Sequence, residues 1–211
     1  MQLIGFNGPY MAEIAQSLDR LDLKYATLST NESFGSAAYS WPEPVLTQGP
    51  WVLAPSYPQE RLTLAQLLSI NRSTELFTVI DPSAVVASNS SIGHGSYLNA
   101  LVSVGANSVL GCSVFLNRSS TVGHDSKLGD FVSTGPGAVI SGQVTIGSGS
   151  FIGAGAIVRD GISIGINAYI GAGAVVVADV ADYALVFGNP AKYRKENSVT
   201  IRDSDCPWCK K

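Results

Sequence analysis

A period of six residues runs through the chain from Ile80 to Val176 and limits its fold more than any other feature. Steps of six from Ile80 meet seventeen positions, and sixteen of them are aliphatic. The residue after this aliphatic anchor is glycine at ten positions and Asn or Asp at three more, residue types that tolerate unusual backbone angles. The anchors are Ile80, Val86, Ile92, Leu98, Val104, Leu110, Leu116, Val122, Leu128, Thr134, Ile140, Ile146, Ile152, Val158, Ile164, Ile170 and Val176.

A period of six excludes an α-helix, whose apolar stripe recurs about every 3.6 residues, and a simple amphipathic strand, which alternates at every second residue. It is typical of short strands joined by tight bends, in which each strand turns one aliphatic side chain inward and stacked coils bury a continuous core. Three hexapeptides close a triangular coil of eighteen residues, so about five and a half coils fit in this region. The sequence therefore predicts a parallel β-helix.

A step of eighteen residues reveals aromatic side chains on one face of the predicted helix. The positions just before the anchors on this face are Tyr97, Phe115, Ser133, Phe151 and Tyr169. We interpret them as an outward-facing aromatic ladder with one gap, at Ser133. Two interpretations of the ladder remain open. It packs against a neighbouring subunit, or it forms a wall of the substrate cleft, in which Ser133 leaves room for a ligand.

The first 79 residues differ in composition, because they hold most of the prolines and two of the three tryptophans. Their pattern predicts a small βαβ-type unit, whose ligand would sit at the carboxyl ends of the strands. Gly5 and Gly8 form a truncated phosphate-loop signal in the first turn, and a strand-to-helix turn that needs glycine is an equally good interpretation of them. We expect Asn7 and Gly8 in this segment to bind the acceptor. The predicted elements are a strand from Leu3, a helix at Met11–Leu21, strands at Lys24–Ser29 and Trp51–Ser56, and a helix at Pro58–Leu68.

The composition excludes several classes of function. Charged residues make up 14% of the chain and the net charge is −3, so the sequence predicts no nucleic-acid binding. No stretch approaches the roughly 18 apolar residues of a membrane span, and the first residues lack the basic and apolar regions of a signal peptide. The three cysteines make no disulfide framework. We therefore expect a cytoplasmic protein that does not bind a membrane.

His124 is the strongest candidate for catalysis. It is followed at once by Asp125 and lies two residues after the anchor Val122, which places its side chain outside the predicted coil. An exposed imidazole beside a carboxylate is suited to act as a general base. His94 has the same position in its own hexapeptide, but a separation of thirty residues is not a multiple of eighteen. We therefore place His94 on a different face and interpret it as a surface residue.

The chain resembles the sugar O-acyltransferase family of hexapeptide-repeat, left-handed β-helix acyltransferases. This family includes sialic acid O-acetyltransferases and the N-acetyltransferases of nucleotide-linked 4-amino sugars. The resemblance covers nearly the whole chain and rests on three segments: the entry Ile80–Ala84, the group Asn117, His124 and Asp125, and the closing Gly188–Lys192.

The resemblance implies a Rossmann-like α/β acceptor-binding domain at residues 1–79, a left-handed β-helix at 80–187 and a C-terminal tail at 188–211. It also implies a homotrimer with active sites between subunits. Acetyl-CoA would be the co-substrate, a sugar or nucleotide sugar would be the acceptor, and no metal is expected.

By the same resemblance, His124 deprotonates the acceptor amine or hydroxyl, Asp125 supports the imidazole, and Asn117 lines the acceptor pocket. Backbone N–H groups of a coil would stabilise the tetrahedral oxyanion. Relatives often carry a second histidine near the acetyl group, and this chain has a serine there. The implied cofactor-binding positions are Ser133, Ala154, Ala172 and Lys192. For Lys192, a solvated basic tail is an equally good interpretation.

The segment Cys206–Cys209 is not accounted for by the resemblance. A single C-x-x-C is half of a zinc site, and no further cysteine or histidine lies nearby in the sequence. We interpret the segment as a disordered tail, with metal binding and redox chemistry as the alternatives.

Several functions remain open. N-acetylation of the 4-amino group of a nucleotide sugar comes first, because the N-terminal domain is retained at nearly full length. O-acetylation of a sialic-acid-like or other sugar hydroxyl belongs to the same enzyme class. A zinc hydratase of the carbonic anhydrase type needs three histidine ligands, and two histidines on different faces argue against it. A non-catalytic scaffold predicts that removal of His124 changes nothing except stability.

Overall fold

The computed structural model of the chain describes residues 2–6, 9–24, 26–30, 50–69, 75–197 and 206–207. An N-terminal α/β unit leads into a parallel β-solenoid of about six turns. Neither helix of the described part has the length and apolar character needed to cross a bilayer.

In its described residues, the N-terminal unit is a parallel three-stranded sheet with two helices, as the βαβ-type pattern predicted. The strands run in the order β2–β1–β3, and α1 connects β1 to β2. The elements are β1 (Gln2–Phe6), α1 (Pro9–Arg20), β2 (Ala26–Thr30), β3 (Trp51–Leu53) and α2 (Pro58–Ser69).

The solenoid strands form three parallel sheets, which we call faces 1, 2 and 3. Face 1 contains β4 (Val79–Ile80), β7 (Tyr97–Leu98), β10 (Phe115–Leu116), β13 (Ser133–Thr134), β16 (Phe151–Ile152), β19 (Tyr169–Ile170), β21 (Ala184–Phe187) and the antiparallel β22 (Lys192–Glu196). Face 2 contains β5 (Val85–Val86), β8 (Ser103–Val104), β11 (Thr121–Val122), β14 (Val139–Ile140), β17 (Ile157–Val158) and β20 (Val175–Val176). Face 3 contains β6 (Ser91–Ile92), β9 (Val109–Leu110), β12 (Lys127–Leu128), β15 (Thr145–Ile146) and β18 (Ser163–Ile164).

Three corners join the faces along the chain. Corner A leads from face 1 to face 2, corner B from face 2 to face 3, and corner C from face 3 to face 1 of the next turn. Each predicted anchor is the second residue of its strand, and the anchors from Leu98 to Val176 are no more than 3% exposed. Thr134 is the one polar anchor, and its Oγ1 accepts the backbone N–H of Asn117 at 2.9 Å. The prediction of a parallel helix with one inward side chain per strand is confirmed.

The glycines that follow the anchors serve close packing rather than an unusual backbone angle. A Cβ on Gly123 would lie 2.4 Å from the backbone nitrogen of Gly142 in the next turn, which is too close for any side chain. Positive φ occurs instead two residues further along, at Asn107 (60°) and Asp125 (58°) among others. The repeat therefore needs glycine where successive turns touch and a left-handed residue at the bend itself.

The aromatic ladder of face 1 packs on this chain's own N-terminal unit. Tyr97 and Phe115 are buried and join an apolar cluster with Ile14 and Leu18 of α1. The gap at Ser133 is filled by Arg61 of α2, which is 1% exposed. Two expectations are therefore corrected. This part of the ladder packs on the same chain rather than on a neighbouring subunit, and Arg61 occupies the space that was expected to hold a ligand at Ser133.

Asp81 ties α1 to the first turn of the solenoid. Its carboxylate is buried, forms an ion pair with Arg20, and accepts the hydroxyls of Ser17 at 2.6 Å and Ser83 at 2.7 Å. Burial alone would raise the pKa of Asp81, but the hydrogen bonds from Ser17, Arg20 and Ser83 lower it to about 2. The folded state therefore favours the ionised carboxylate.

We expect Asp81→Asn to lower the free energy of unfolding at neutral pH by about 2–3 kcal/mol. Because the folded pKa lies below the ordinary value of 3.8, the stabilisation is complete above pH 4 and is lost as the pH falls towards 2. Urea titrations between pH 2 and 7 should show the two proteins converging at the acid end. Asp160→Asn, at an exposed position, is the control, and a constant difference at every pH would contradict the prediction.

Candidate active site

A groove of about 240 Å³ lies at corner A, between the solenoid and the N-terminal unit. The N-terminal unit contributes Tyr10, at the start of α1, and Ser56 and Tyr57, which follow β3. These positions lie at the carboxyl ends of β1 and β3, where the sequence predicted the ligand of this unit to sit. The solenoid contributes Asn117, Thr134, Gly135, Pro136, Phe151, Gly153, Ala154, Tyr169 and Ala172.

One wall of the groove is a stack of three aromatic rings. Phe151 lies between Tyr57 and Tyr169, with ring centroids 5.4 and 5.0 Å apart. Burial raises the pKa of Tyr169, so its phenol stays neutral and able to donate a hydrogen bond. This lower half of the aromatic ladder therefore forms part of a cleft, which is the second interpretation that the sequence left open.

Three of the predicted site residues meet in this groove. Ala154 and Ala172 are exposed on successive turns, and their small side chains leave the backbone of corner A accessible. Asn117 is 1% exposed, and its Oδ1 accepts the backbone N–H of Arg118 at 2.8 Å and the amide of Asn99 at 3.3 Å. These bonds hold the Asn117 side chain in one orientation at the rim of the groove.

His124 and Asp125 lie at corner B, immediately after β11. The Nδ1 atom of His124 lies 2.7 Å from Oδ2 of Asp125, and both side chains are largely exposed, at 63% and 45%. The hydrogen bond from His124 lowers the pKa of Asp125, and a second one from Asn107 adds to the effect. An ionised Asp125 keeps the proton of a neutral imidazole on Nδ1 and leaves Nε2 as a proton acceptor.

A polar ladder supports Asp125 from the preceding turns. The amide of Asn107 donates to Oδ1 of Asp125 at 3.0 Å, and the amide of Asn89 donates to Oδ1 of Asn107 at 2.7 Å. The three residues are eighteen apart and so lie above one another on the same corner. Asn89 and Asn107 were not among the predicted site residues, although the repeat gives their spacing from Asp125.

Gly142 lies directly under the imidazole of His124. A Cβ at Gly142 would stand 2.7 Å from Nε2 and 2.9 Å from Cε1 of the ring. Gly142 follows His124 by eighteen residues and occupies the same position in its hexapeptide, so the repeat alone could have identified it. The missing side chain leaves the space in which the ring lies.

We expect Gly142→Ala to reduce kcat by a factor of about 10–100, because the added methyl group displaces the ring of His124. Thermal stability should change little, since the contacted atoms are the far end of an exposed side chain. In a His124→Ala background the same substitution should have no further effect on kcat. Equal losses in both backgrounds would show that Gly142 acts independently of His124.

Of the other predicted site residues, Ser133 and Lys192 lie apart from both the groove and the His124–Asp125 pair. Ser133 is fully buried, and its Oγ accepts a hydrogen bond from Arg61 at 2.8 Å, so it is closed to a cofactor in this structure. Lys192 is exposed on β22 and does not line the groove. Asn7 and Gly8 lie outside the described residues. Within one chain, the groove at corner A and His124 at corner B lie at opposite edges of face 2.

The second histidine lies at the third corner. His94 is half-buried at corner C, with Nε2 3.1 Å from Sγ of Cys206 and Nδ1 3.5 Å from Sγ of Cys112. The interpretation of His94 as a plain surface residue is therefore wrong, although it does lie on a different face from His124. Cys206 is 1% exposed, so the interpretation of a disordered tail is wrong for this residue.

Comparison with protein families matches residues 143–178 to the hexapeptide repeat of succinyl-transferase. Among curated proteins, none matches the chain.

Solved structures match almost the whole chain. A histidine-to-asparagine variant of perosamine N-acetyltransferase from Caulobacter crescentus, in complex with CoA and GDP-perosamine, is 27% identical over 92% of this chain and 96% of that one, with a TM-score of 0.83. The acetyltransferase domain of PglB from Neisseria gonorrhoeae, in complex with acetyl coenzyme A, is 32% identical over 92% and 98%, with a TM-score of 0.81. WeeI from Acinetobacter baumannii is 26% identical over 92% and 98%, with a TM-score of 0.79.

Proposed function

Because the chain belongs to the left-handed β-helix family of sugar acetyltransferases, we propose that it transfers an acetyl group from acetyl-CoA to the 4-amino group of a nucleotide-linked amino sugar. The observation that carries the proposal is the exposed His124, held by Asp125 through Nδ1 so that Nε2 is available to take a proton. The similar enzyme from Caulobacter crescentus, with CoA and GDP-perosamine bound, supports the choice of acceptor.

In the proposed reaction, the amine nitrogen of the acceptor attacks the thioester carbon of acetyl-CoA. Nε2 of His124 takes a proton from the amine as the new C–N bond forms. The C–S bond then breaks, and the proton passes from His124 to the departing sulfur, which leaves as free CoA. Asp125 keeps the imidazole oriented and stabilises its positive charge while it carries the proton.

The groove at corner A provides the binding site for acetyl-CoA in this proposal. The pantetheine arm passes Ala154 and Ala172, where small side chains allow it to approach the backbone of two successive turns. The stack of Tyr57, Phe151 and Tyr169 covers its apolar side. Lys192, exposed on the strand that ends face 1, would contact the CoA phosphates beyond the groove.

The N-terminal unit binds the acceptor in this proposal. We assign it to residues 1–79 as a Rossmann-like domain, with the transferase helix at 80–187 and the tail at 188–211. Residues at the carboxyl ends of β1 and β3 line the groove. Asn7 and Gly8, which lie outside the described residues, would hold the nucleotide, and Asn117 would contact the sugar.

A homotrimer completes the site. The groove and His124 lie at the two edges of face 2, so a single chain does not bring them together. Face 2 itself exposes apolar side chains, with Val85 at 69%, Ile157 at 42% and Val139 at 37%. A subunit packed along this face would bury them and bring corner B of one chain to corner A of the next. Burial of apolar side chains provides the driving force for such an interface.

The test of the function is release of free thiol from acetyl-CoA with a panel of nucleotide 4-amino sugars, sialic acids and simple sugars. Turnover with an amino sugar alone supports the proposal, and turnover with a hydroxyl acceptor alone would reassign it to O-acetylation.

Ala154→Trp should raise KM for acetyl-CoA about tenfold or more by filling the groove. Ala181→Trp, at an exposed alanine away from the groove, is the matched control.

The shared site has a further consequence for mixed oligomers. His124→Ala and Ala154→Trp chains, each poorly active alone at low acetyl-CoA, should regain activity when they are unfolded, mixed and refolded together. Such mixed trimers contain interfaces at which one chain supplies an intact His124 and its neighbour an intact groove. No gain of activity in refolded mixtures of the two chains would contradict a site shared between subunits.

A further inference from the structure

We propose that corner C holds a structural zinc ion, bound by His94, Cys112 and Cys206. One ligand atom from each of the three residues lies within 4.8 Å of the other two. Among the described residues, one group of three potential metal ligands occurs, and it is formed by His94, Cys112 and Cys206. Zinc accepts this combination of one imidazole and thiolates in closed structural sites.

The spacing of these atoms fits a tetrahedral ion. Zn–S bonds of about 2.3 Å and Zn–N bonds of about 2.0–2.1 Å place neighbouring ligand atoms about 3.5–3.8 Å apart. The observed separations, 3.5 Å between His94 and Cys112 and 3.1 Å between His94 and Cys206, lie at the lower end of this range and slightly below it. The two separations end on different nitrogens of the ring, so binding of one ion through a single nitrogen requires the imidazole to turn.

The solenoid repeat itself positions the solenoid ligands. His94, Cys112 and Asp130 are eighteen residues apart and stack on three successive turns of corner C. Asp130 accepts the backbone N–H of Cys112 through Oδ1 at 2.8 Å and that of Cys206 through Oδ2 at 3.0 Å. One carboxylate thus holds the backbones of both cysteines side by side at this corner.

The site lies in an apolar environment at the junction of three parts of the chain. Cys112 is 8% exposed and Cys206 1%, and both belong to a buried cluster with Trp51, Leu76 and Phe131. This cluster joins the N-terminal unit, the solenoid and the C-terminal segment. An ion here would fasten the C-terminal segment to the other two parts, because residues far apart in sequence would share it.

The sequence offers a fourth ligand. Cys209 follows Cys206 at the C-x-x-C spacing that is common in tetrahedral zinc sites. Cys209 itself lies outside the described residues, so its assignment rests on this spacing. With it, every cysteine of the chain and the histidine that the proposed catalysis does not use would bind one ion. Both described cysteines lie in a buried apolar cluster, at a different corner from the groove and from His124, so the role is structural rather than catalytic.

The first test is the metal content of the purified full-length chain, expressed with added zinc and measured by mass spectrometry of the metal. We expect about one zinc per chain. His94→Gln and Cys206→Ser should each lose most of it. His124→Gln is the matched control, because it changes the second histidine of the chain, and it should keep the zinc while acetyl transfer is lost. Metal content therefore separates this proposal from the proposed function.

A second measurement covers the case in which the variants do not fold. Replacement of zinc by Co²⁺ in the wild-type chain should produce thiolate-to-cobalt charge-transfer bands and the intense visible bands of a tetrahedral ion. Removal of zinc by a chelator should lower Tm by roughly 5 °C or more, and added zinc should restore it. A wild-type chain that carries no zinc and shows no cobalt bands would overturn the proposal. Recovery of a Cys112–Cys206 disulfide from such a chain would assign the cluster to redox chemistry instead.

Discussion

Replacement of His124 by alanine is expected to lower kcat by a factor of about 10²–10⁴, the range that a positioned general base contributes. The loss should appear in kcat more than in KM, because the imidazole transfers the proton, whereas the groove lined by Ala154 and Ala172 provides the proposed binding contacts for acetyl-CoA. Stability should be unchanged within about 0.5 kcal/mol, since the side chain is 63% exposed. Steady-state thiol release and thermal unfolding measure the two effects on the same preparation.

The choice of controls decides what the His124 result means. Lys127→Ala changes an exposed side chain on face 3, three residues further along, and should leave kcat unchanged. Asp125→Asn should give a smaller loss than His124→Ala, because the base remains but its Nδ1 proton is no longer held by a carboxylate. Full activity in His124→Ala would remove the general base from the mechanism. No activity in the wild type with any acceptor would favour the non-catalytic scaffold.

Replacement of Arg61 by methionine is expected to cost about 3–5 kcal/mol of unfolding free energy. The guanidinium is fully buried between the N-terminal unit and the solenoid, and burial lowers its pKa to about 9, so it remains charged at neutral pH. Methionine fills part of the space but leaves buried carbonyl oxygens without a donor. The acceptors are Ser113 O at 3.1 Å, Pro55 O at 3.1 Å, Ser56 O at 2.8 Å, Phe131 O at 3.0 Å, Val132 O at 3.4 Å and Ser133 Oγ at 2.8 Å.

Urea unfolding at neutral pH measures this effect. Arg159→Met, which removes an exposed arginine from the solenoid, is the matched control and should change stability by less than about 0.5 kcal/mol. Arg61→Lys should fold more stably than Arg61→Met, yet it should still raise KM for acetyl-CoA. The reason is that Arg61 holds the carbonyls of Pro55 and Ser56, and Tyr57 of the groove follows directly. Equal stability of Arg61→Met and wild type would show that the interface does not depend on this residue.

The repeat region was the part most completely predictable from sequence. A hexapeptide period places one side chain per strand inside a narrow triangular core, so the anchors from Ile80 to Val176 can be counted along the chain by steps of six. The same arithmetic placed Ala154 above Ala172 and separated His94 from His124. The same spacing places Gly142 under His124 and Cys112 under His94, but neither contact was predicted. These contacts join neighbouring turns of the solenoid, and the repeat fixes how neighbouring turns stack.

The contacts between the parts of the chain were not predictable in the same way. Nothing in the local pattern around Arg61 indicates that it would fill the gap at Ser133, 72 residues away. Half of the aromatic ladder became a buried interface and the other half a cleft wall, because α1 covers Tyr97 and Phe115 but not Tyr169. Likewise, Cys206 had no histidine near it in sequence, and only folding brings it to His94.

By itself, the sequence determined the solenoid, its register and the exposed position of the His124–Asp125 pair, since each follows from a period that every turn repeats. The tertiary structure alone decided where the N-terminal unit sits, which residues form the groove at corner A, and that the C-terminal cysteine reaches corner C. Such placements depend on the complementarity of distant surfaces, on side chains such as Arg61 that satisfy backbone groups of another element, and on buried contacts with no fixed sequence spacing.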